Sequence, residues 1–213
     1  MDSGQRNPWI GKRLVLLCGI LVVAVGASLV WWQQSRAQGK TALPSRLCND
    51  TFSSAEVKPL YGESEGALKQ DTIRGFPGAF GDTPGLGVVC ETSLGNRSVN
   101  FRVKHMRWGK PKKELMGEVE YVTELGSGYG DYNKDRGEIS LRIPCPSSET
   151  PTATLYMKVG ATLAGAGPGE GVSKLKRLAG YAARTLARNV YKCKGADELP
   201  EGPVHIRRGE GSR

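Results

Sequence analysis

The stretch SVNFRVKHM, Ser98–Met106, reads as a β-strand with one side on a core and the other in water. Val99, Phe101 and Val103 fall on one face and Asn100, Arg102 and Lys104 on the other, a period of two. His105 extends the apolar face. Just before it, Gly87–Thr92 (GVVCET) is a second short strand, joined through a hairpin turn at Leu94–Arg97 (LGNR). Further along, Glu118–Leu125 sets Val119, Tyr121 and Thr123 against Glu118, Glu120 and Val122. Ile139, Leu141 and Ile143 alternate up to Cys145, and Leu155, Met157 and Val159 do so after the Pro146–Thr152 turn. The Gly-rich segments Gly75–Gly87 and Gly126–Gly137 read as loops. About five antiparallel strands are expected.

Two helices flank these strands. Ser53 and Glu56 form a capping-box pattern ahead of Val57, Leu60 and Tyr61, with Pro59 shortening or kinking the helix. From Val172 to Lys192 the residues Leu175, Ala179, Ala182, Leu186 and Val190 recur on one arc, and Cys193 lands on the same side. The expected fold is therefore α+β: one antiparallel sheet packed by one short and one long helix. This domain is expected over residues 48–194, after a linker at 33–47 and before a polar, mobile tail at 195–213.

Ahead of the linker, LVLLCGILVVAVGASLVWW (Leu14–Trp32) contains no charged residue. A helix of that length is close to the ~30 Å hydrocarbon core of a bilayer. Arg6, Lys12 and Arg13 precede it, which predicts residues 1–13 in the cytoplasm, a single membrane span at 14–32 and the remainder outside. Trp31 and Trp32 suit the outer interface. Cleavage after Ala37, giving a secreted protein, is the alternative. Cys18 lacks the small preceding residues of a lipid-attachment site.

The formal charge is +9, an excess that favours anionic surfaces without pointing to nucleic acid. Four cysteines follow the apolar stretch: Cys48, Cys90, Cys145 and Cys193. They are too far apart for a metal knuckle or a redox pair, and an even number in an exported domain implies two disulfides. Three connectivities exist; the pairing local to each half, Cys48–Cys90 and Cys145–Cys193, is preferred.

The runs GEISLRIPCPS (Gly137–Ser147) and RNVYKCKGADELP (Arg188–Pro200) resemble uncharacterised exported or single-pass membrane proteins of Streptomyces-type actinobacteria. LCNDTFSSAEVKPLYG (Leu47–Gly62) is similar to the opening of small actinobacterial lipoproteins. The resemblance covers about half of the outer domain. It implies an envelope location and an α+β fold, and carries over no catalytic residue.

Catalytic signatures are absent from the sequence. His105 and His205 stand apart, at no metal-ligand spacing. The glycine-rich run Gly165–Gly171 departs from both phosphate-loop spacings and includes Glu170. Glu118/Glu120 and Asp131/Asp135/Glu138 read as solvated faces. No cofactor, metal or nucleic acid is implied. Two basic runs remain: Lys174, Arg177, Arg184, Arg188 and Lys192 opposite the apolar stripe of the long helix, and Arg107, Lys110, Lys112 and Lys113 in a loop. The expected function is a membrane-anchored, non-enzymatic extracytoplasmic domain. These residues would contact anionic lipid, a wall polymer or a protein partner. A carrier with an apolar pocket lined by Phe101, Tyr121 and Leu155 is the alternative, and an enzyme is the third reading.

Overall fold

The computed structural model describes residues 43–77, 87–107, 109–146, 150–162 and 169–211. Residues Leu43–Arg213 form one compact unit. The expected membrane span at 14–32 lies outside the described residues, as does most of the run Gly165–Gly171. Among the described residues no helix is long and apolar enough to cross a membrane.

The expected α+β domain of about five strands and two helices is corrected to a mostly-sheet domain. Among the described residues it has one eight-stranded antiparallel sheet, a two-stranded ribbon and three α-helices. The ribbon joins β1 (Arg46–Leu47) to β2 (Phe52–Ser53) and leads into α1 (Ser54–Tyr61). Then follow β3 (Lys69–Ile73), β4 (Val88–Leu94), β5 (Arg97–Met106), α2 (Lys112–Glu118), β6 (Tyr121–Leu125), β7 (Gly128–Asn133), β8 (Glu138–Pro144), β9 (Thr154–Ala161), α3 (Glu170–Arg184) and β10 (His205–Arg208). The order across the large sheet is β10-β6-β7-β8-β9-β5-β4-β3.

Three strands have no apolar alternation to announce them. β3 (KQDTI) is an edge strand whose residues are mostly exposed. β7 (GYGDYN) lies within the glycine-rich segment read as a loop. A Cβ on its Gly130 would fall 2.1 Å from the Ser140 carbonyl oxygen, so only glycine lets the strand pass so close. β10 (HIRR) pairs with β6 through Ile206 opposite Thr123. The third helix, α2, follows Pro111 in the run read as a basic loop, and its Leu115 is buried.

The core lies on one face of the sheet. Val99, Phe101 and Val103 from β5 join Ile139, Leu141 and Ile143 from β8 and Leu155, Met157 and Val159 from β9, all nearly inaccessible. Leu175, Ala179, Ala182 and Leu186 cover them from above, and Phe52 stacks on Phe101 with ring centroids 4.2 Å apart. Burying a side chain of this size stabilises by roughly 1.5–3 kcal/mol. After α3 the chain widens into one π-helical stretch, Thr185–Val190. The Cys193 amide donates to the Ala187 carbonyl at 2.7 Å.

Both disulfides join the pairs preferred from the sequence, Cys48–Cys90 and Cys145–Cys193. They close loops of 42 and 48 residues, each worth about 4 kcal/mol in the chain-entropy model. Cys48, Asn49 and Asp50 all have positive φ, near 58°, 53° and 58°. This left-handed turn is braced by Cys48 N–H donating to Gln70 and by Asn49 donating to the Phe76 carbonyl.

Candidate functional site: the cation-bearing face of the sheet

The same alternation that sends Phe101 inward sends Arg102 and Lys104 to the opposite face. Register assembles their neighbours there. Arg102 sits between Val89 of β4 and Lys158 of β9, with Ile73 beyond Val89. Lys104 faces Tyr156, and Tyr156 faces Arg142 of β8. Two cations directly opposite each other, Arg102 and Lys158, are an unfavourable cross-strand pair.

Arg74, Arg102, Lys104, Tyr156 and Lys158 surround a concavity of about 480 Å³, lined also by Ile73, Gly87 and Val89. No carboxylate is among the described lining residues. Lys158 is 3.3 Å from Glu138 at the edge, whereas Arg74 and Arg102 make no ion pair among the described residues. Arg74 itself has φ near +59°, uncommon for a side chain of its size.

Tyr156 is the floor. Lys104 Nζ lies 4.9 Å from its ring centroid and the Arg142 guanidinium 5.2 Å, from the strands on either side. Burial pushes its phenol above the ordinary value, opposed by the nearby charges of Lys158 and Arg142. Arg142 Nη1 is 3.8 Å from Asp131, near enough for charge attraction but too far for a hydrogen bond. Its Nε and Nη1 are buried without hydrogen-bond partners among the described residues.

The basic residues singled out in the sequence have other surroundings. Arg184 donates to the Pro200 and Gly202 carbonyls and pairs with Glu201. Arg188 donates to the Ala196, Asp197 and Leu199 carbonyls and to Glu201. The hydrogen bond from Arg188 holds the Glu201 carboxyl below its usual range, and burial lowers Arg184. Both arginines thus strap the segment after Gly195 onto the long helix. A Cβ on Gly180 would fall 2.3 Å from the Gly202 carbonyl oxygen. Arg177 is exposed and lines a cleft of about 350 Å³ with Glu56, Arg184 and Glu201. Lys174 is half-buried and Lys192 exposed.

Lys110 is bonded to Glu118 and Glu114, which raise its pKa, and Lys112 pairs with Glu124. Lys113 and Arg107 are exposed. Lys112 meets Glu124, and the Lys110 carbonyl accepts from Tyr129. In register both partners lie on the face away from the core. The structure therefore puts α2 and the long-helix arc on opposite sides of the sheet. The α2 lysines share a side with Arg102 and Lys104, at the other end.

Phe101 and Leu155 are packed in the core, and Tyr121 rests 5.9 Å from the Tyr132 ring. His105 is half-buried on β5 and His205 exposed on β10. Glu118 ends α2, apart from Glu120. Among the described residues no group of three or more His, Cys, Asp or Glu is placed to hold a metal ion. The residues that sequence reasoning passed over are Arg74, Arg102, Tyr156 and Lys158, of which the polar side of SVNFRVKHM carried a signal for Arg102; Lys104, on the same side, opens the basic run that continues to Lys113.

No family model, curated protein or solved structure matches the chain.

Proposed function

We propose that this chain is an exported, non-enzymatic binding domain whose cation-bearing sheet face takes an anionic component of the cell envelope. The observation that carries the reading is the grouping of Arg74, Arg102 and Lys104 around one concavity, with no carboxylate among its described lining residues. Cations gathered without counter-charges raise the local positive potential and attract anions. Two disulfides support a site of action outside the reducing cytoplasm. The contact is assigned to the sheet face rather than to the long helix, because Arg184 and Arg188 already serve the fold.

The test is the binding of the full chain to vesicles containing anionic phospholipid in excess of its binding to vesicles of phosphatidylcholine alone, followed across a salt series. Binding is expected to weaken steeply as salt rises. A cation near an anionic surface is worth about 1 kcal/mol, so Arg102→Gln with Lys104→Gln should weaken it roughly 30-fold. Salt-insensitive binding, or unchanged binding by the double variant, contradicts the reading.

A further inference from the structure

We infer that the concavity is a site for a phosphate monoester, its phosphate held among Arg102, Lys104 and Arg74 and its organic part lying against Ile73 and Val89. This rests on the reading of the sheet face as an anion-binding surface and names the chemical class of the ligand.

Charge is the first argument. Among the described residues three lining cations have no acid in the lining, and a fourth, Lys158, is shared with Glu138. A carboxylate, sulfonate or phosphodiester brings a single negative charge and leaves most of this excess uncompensated. A phosphate monoester brings roughly −1.5 to −2 at neutral pH, together with three strong acceptor oxygens.

Geometry is the second. Arg102 and Lys158 are direct cross-strand partners, and Cβ atoms so placed are about 5 Å apart. Lys104 follows on the same face of β5. Donors therefore converge from two strands and from Arg74 at the end of β3. The guanidinium forks of Arg74 and Arg102 suit two oxygens of one phosphate.

The third argument concerns what lies beside the phosphate. Ile73 is 51% exposed, the one large apolar side chain so exposed among the described residues. It borders the concavity next to Val89. A bare phosphate would leave this wall wet, whereas an ester group covers it. The space, about 480 Å³, also exceeds what a phosphate ion fills.

A phosphate monoester reaches such a site as a soluble metabolite-like ester or as a lipid headgroup, and the experiment separates them. The full chain is titrated with phenyl phosphate, with benzenesulfonate as a monoanion of similar shape, and with inorganic phosphate. Phenyl phosphate should bind one per chain, at least about tenfold tighter than either comparator. It should weaken about tenfold from about pH 7.5 to about pH 5 as the second ionisation, near 6, is reversed. Arg102→Gln should abolish this preference, and Arg177→Gln on the long helix should keep it. Vesicles of phosphatidylcholine carrying phosphatidate or phosphatidylglycerol supply the second arm. Preference for phosphatidate, displaced by phenyl phosphate, assigns a lipid headgroup; phenyl phosphate binding without vesicle binding assigns a soluble ester. Equal affinity for phenyl phosphate and benzenesulfonate, both lost in Arg102→Gln, overturns the monoester and leaves the anionic face standing. The same division follows if only vesicles bind and the variant loses them. Absence of every anion, or binding that Arg102→Gln leaves intact, overturns both.

Discussion

Arg188 on the long helix and Arg102 on the sheet look alike in sequence, each a basic residue on the polar side of an amphipathic element. Their surroundings are opposite. Arg188 is ringed by three main-chain carbonyls and Glu201, and Arg184 beside it by two more carbonyls and the same carboxylate. Arg102 faces Lys158 across the strand pair and lines a concavity with no acid among its described residues. A cation that is hydrogen-bonded to its own chain holds the fold. A cation set against other cations adds nothing to stability and is available to a ligand.

The sharpest break of this comparison uses neighbours on one strand. Phe101→Ala, on the core face, should lower unfolding stability by roughly 3–5 kcal/mol in a denaturant titration. The site face should stay assembled in the folded fraction. A loss under about 1 kcal/mol would mean that the core face is not packed as described.

Next in size is alkaline unfolding. Burial raises the Tyr191 phenol from the ordinary 10.0 to about 12. The unfolded chain ionises near 10 and the folded chain only near 12, so the protonated native form is favoured between them. Stability is full below about pH 10 and falls as pH rises toward about 12, by on the order of 2–3 kcal/mol. Tyr191→Phe should flatten that slope in melting curves taken across the range, and an unaltered slope would assign it to another group.

Arg188→Ala removes the strap and should cost about 2 kcal/mol, since hydrogen bonds from a charged donor contribute about 1.5–3 kcal/mol. It should also speed amide exchange after Gly195. Smallest is Arg102→Ala, expected within about 0.5 kcal/mol of the parent, or slightly more stable through relief of the Arg102–Lys158 repulsion. A loss as large as that of Arg188→Ala would erase the distinction between the two arginines.

The legible parts of this fold were those whose side chains alternate or recur with a clear period. Val99, Phe101 and Val103 announced β5, and Leu175, Ala179 and Leu186 announced the long helix. Cysteine position carried the pairing. What stayed hidden had no periodic apolar signal. β3 is a polar edge strand, β7 is glycine-rich because it runs close to β8, and β10 is held by backbone pairing with β6. The site was half visible: the spacing of Arg102 and Lys104 is in the sequence, but Lys158 and Tyr156 come opposite them only through the β5–β9 register. Nor could sequence tell that Arg184 and Arg188 would be taken up by a C-terminal segment, because apart from Glu201 those partners are carbonyls, which every residue has.

The most direct measurement compares two double variants of the full chain on anionic vesicles at one moderate salt concentration, with binding to phosphatidylcholine vesicles subtracted. Arg102→Gln with Lys104→Gln alters the sheet face; Arg177→Gln with Lys192→Gln alters the long helix and the turn just beyond it. The face variant should bind roughly 30-fold more weakly than the parent, and the helix variant within about threefold of it. The reverse order would contradict the assignment of the anion-binding surface to the sheet.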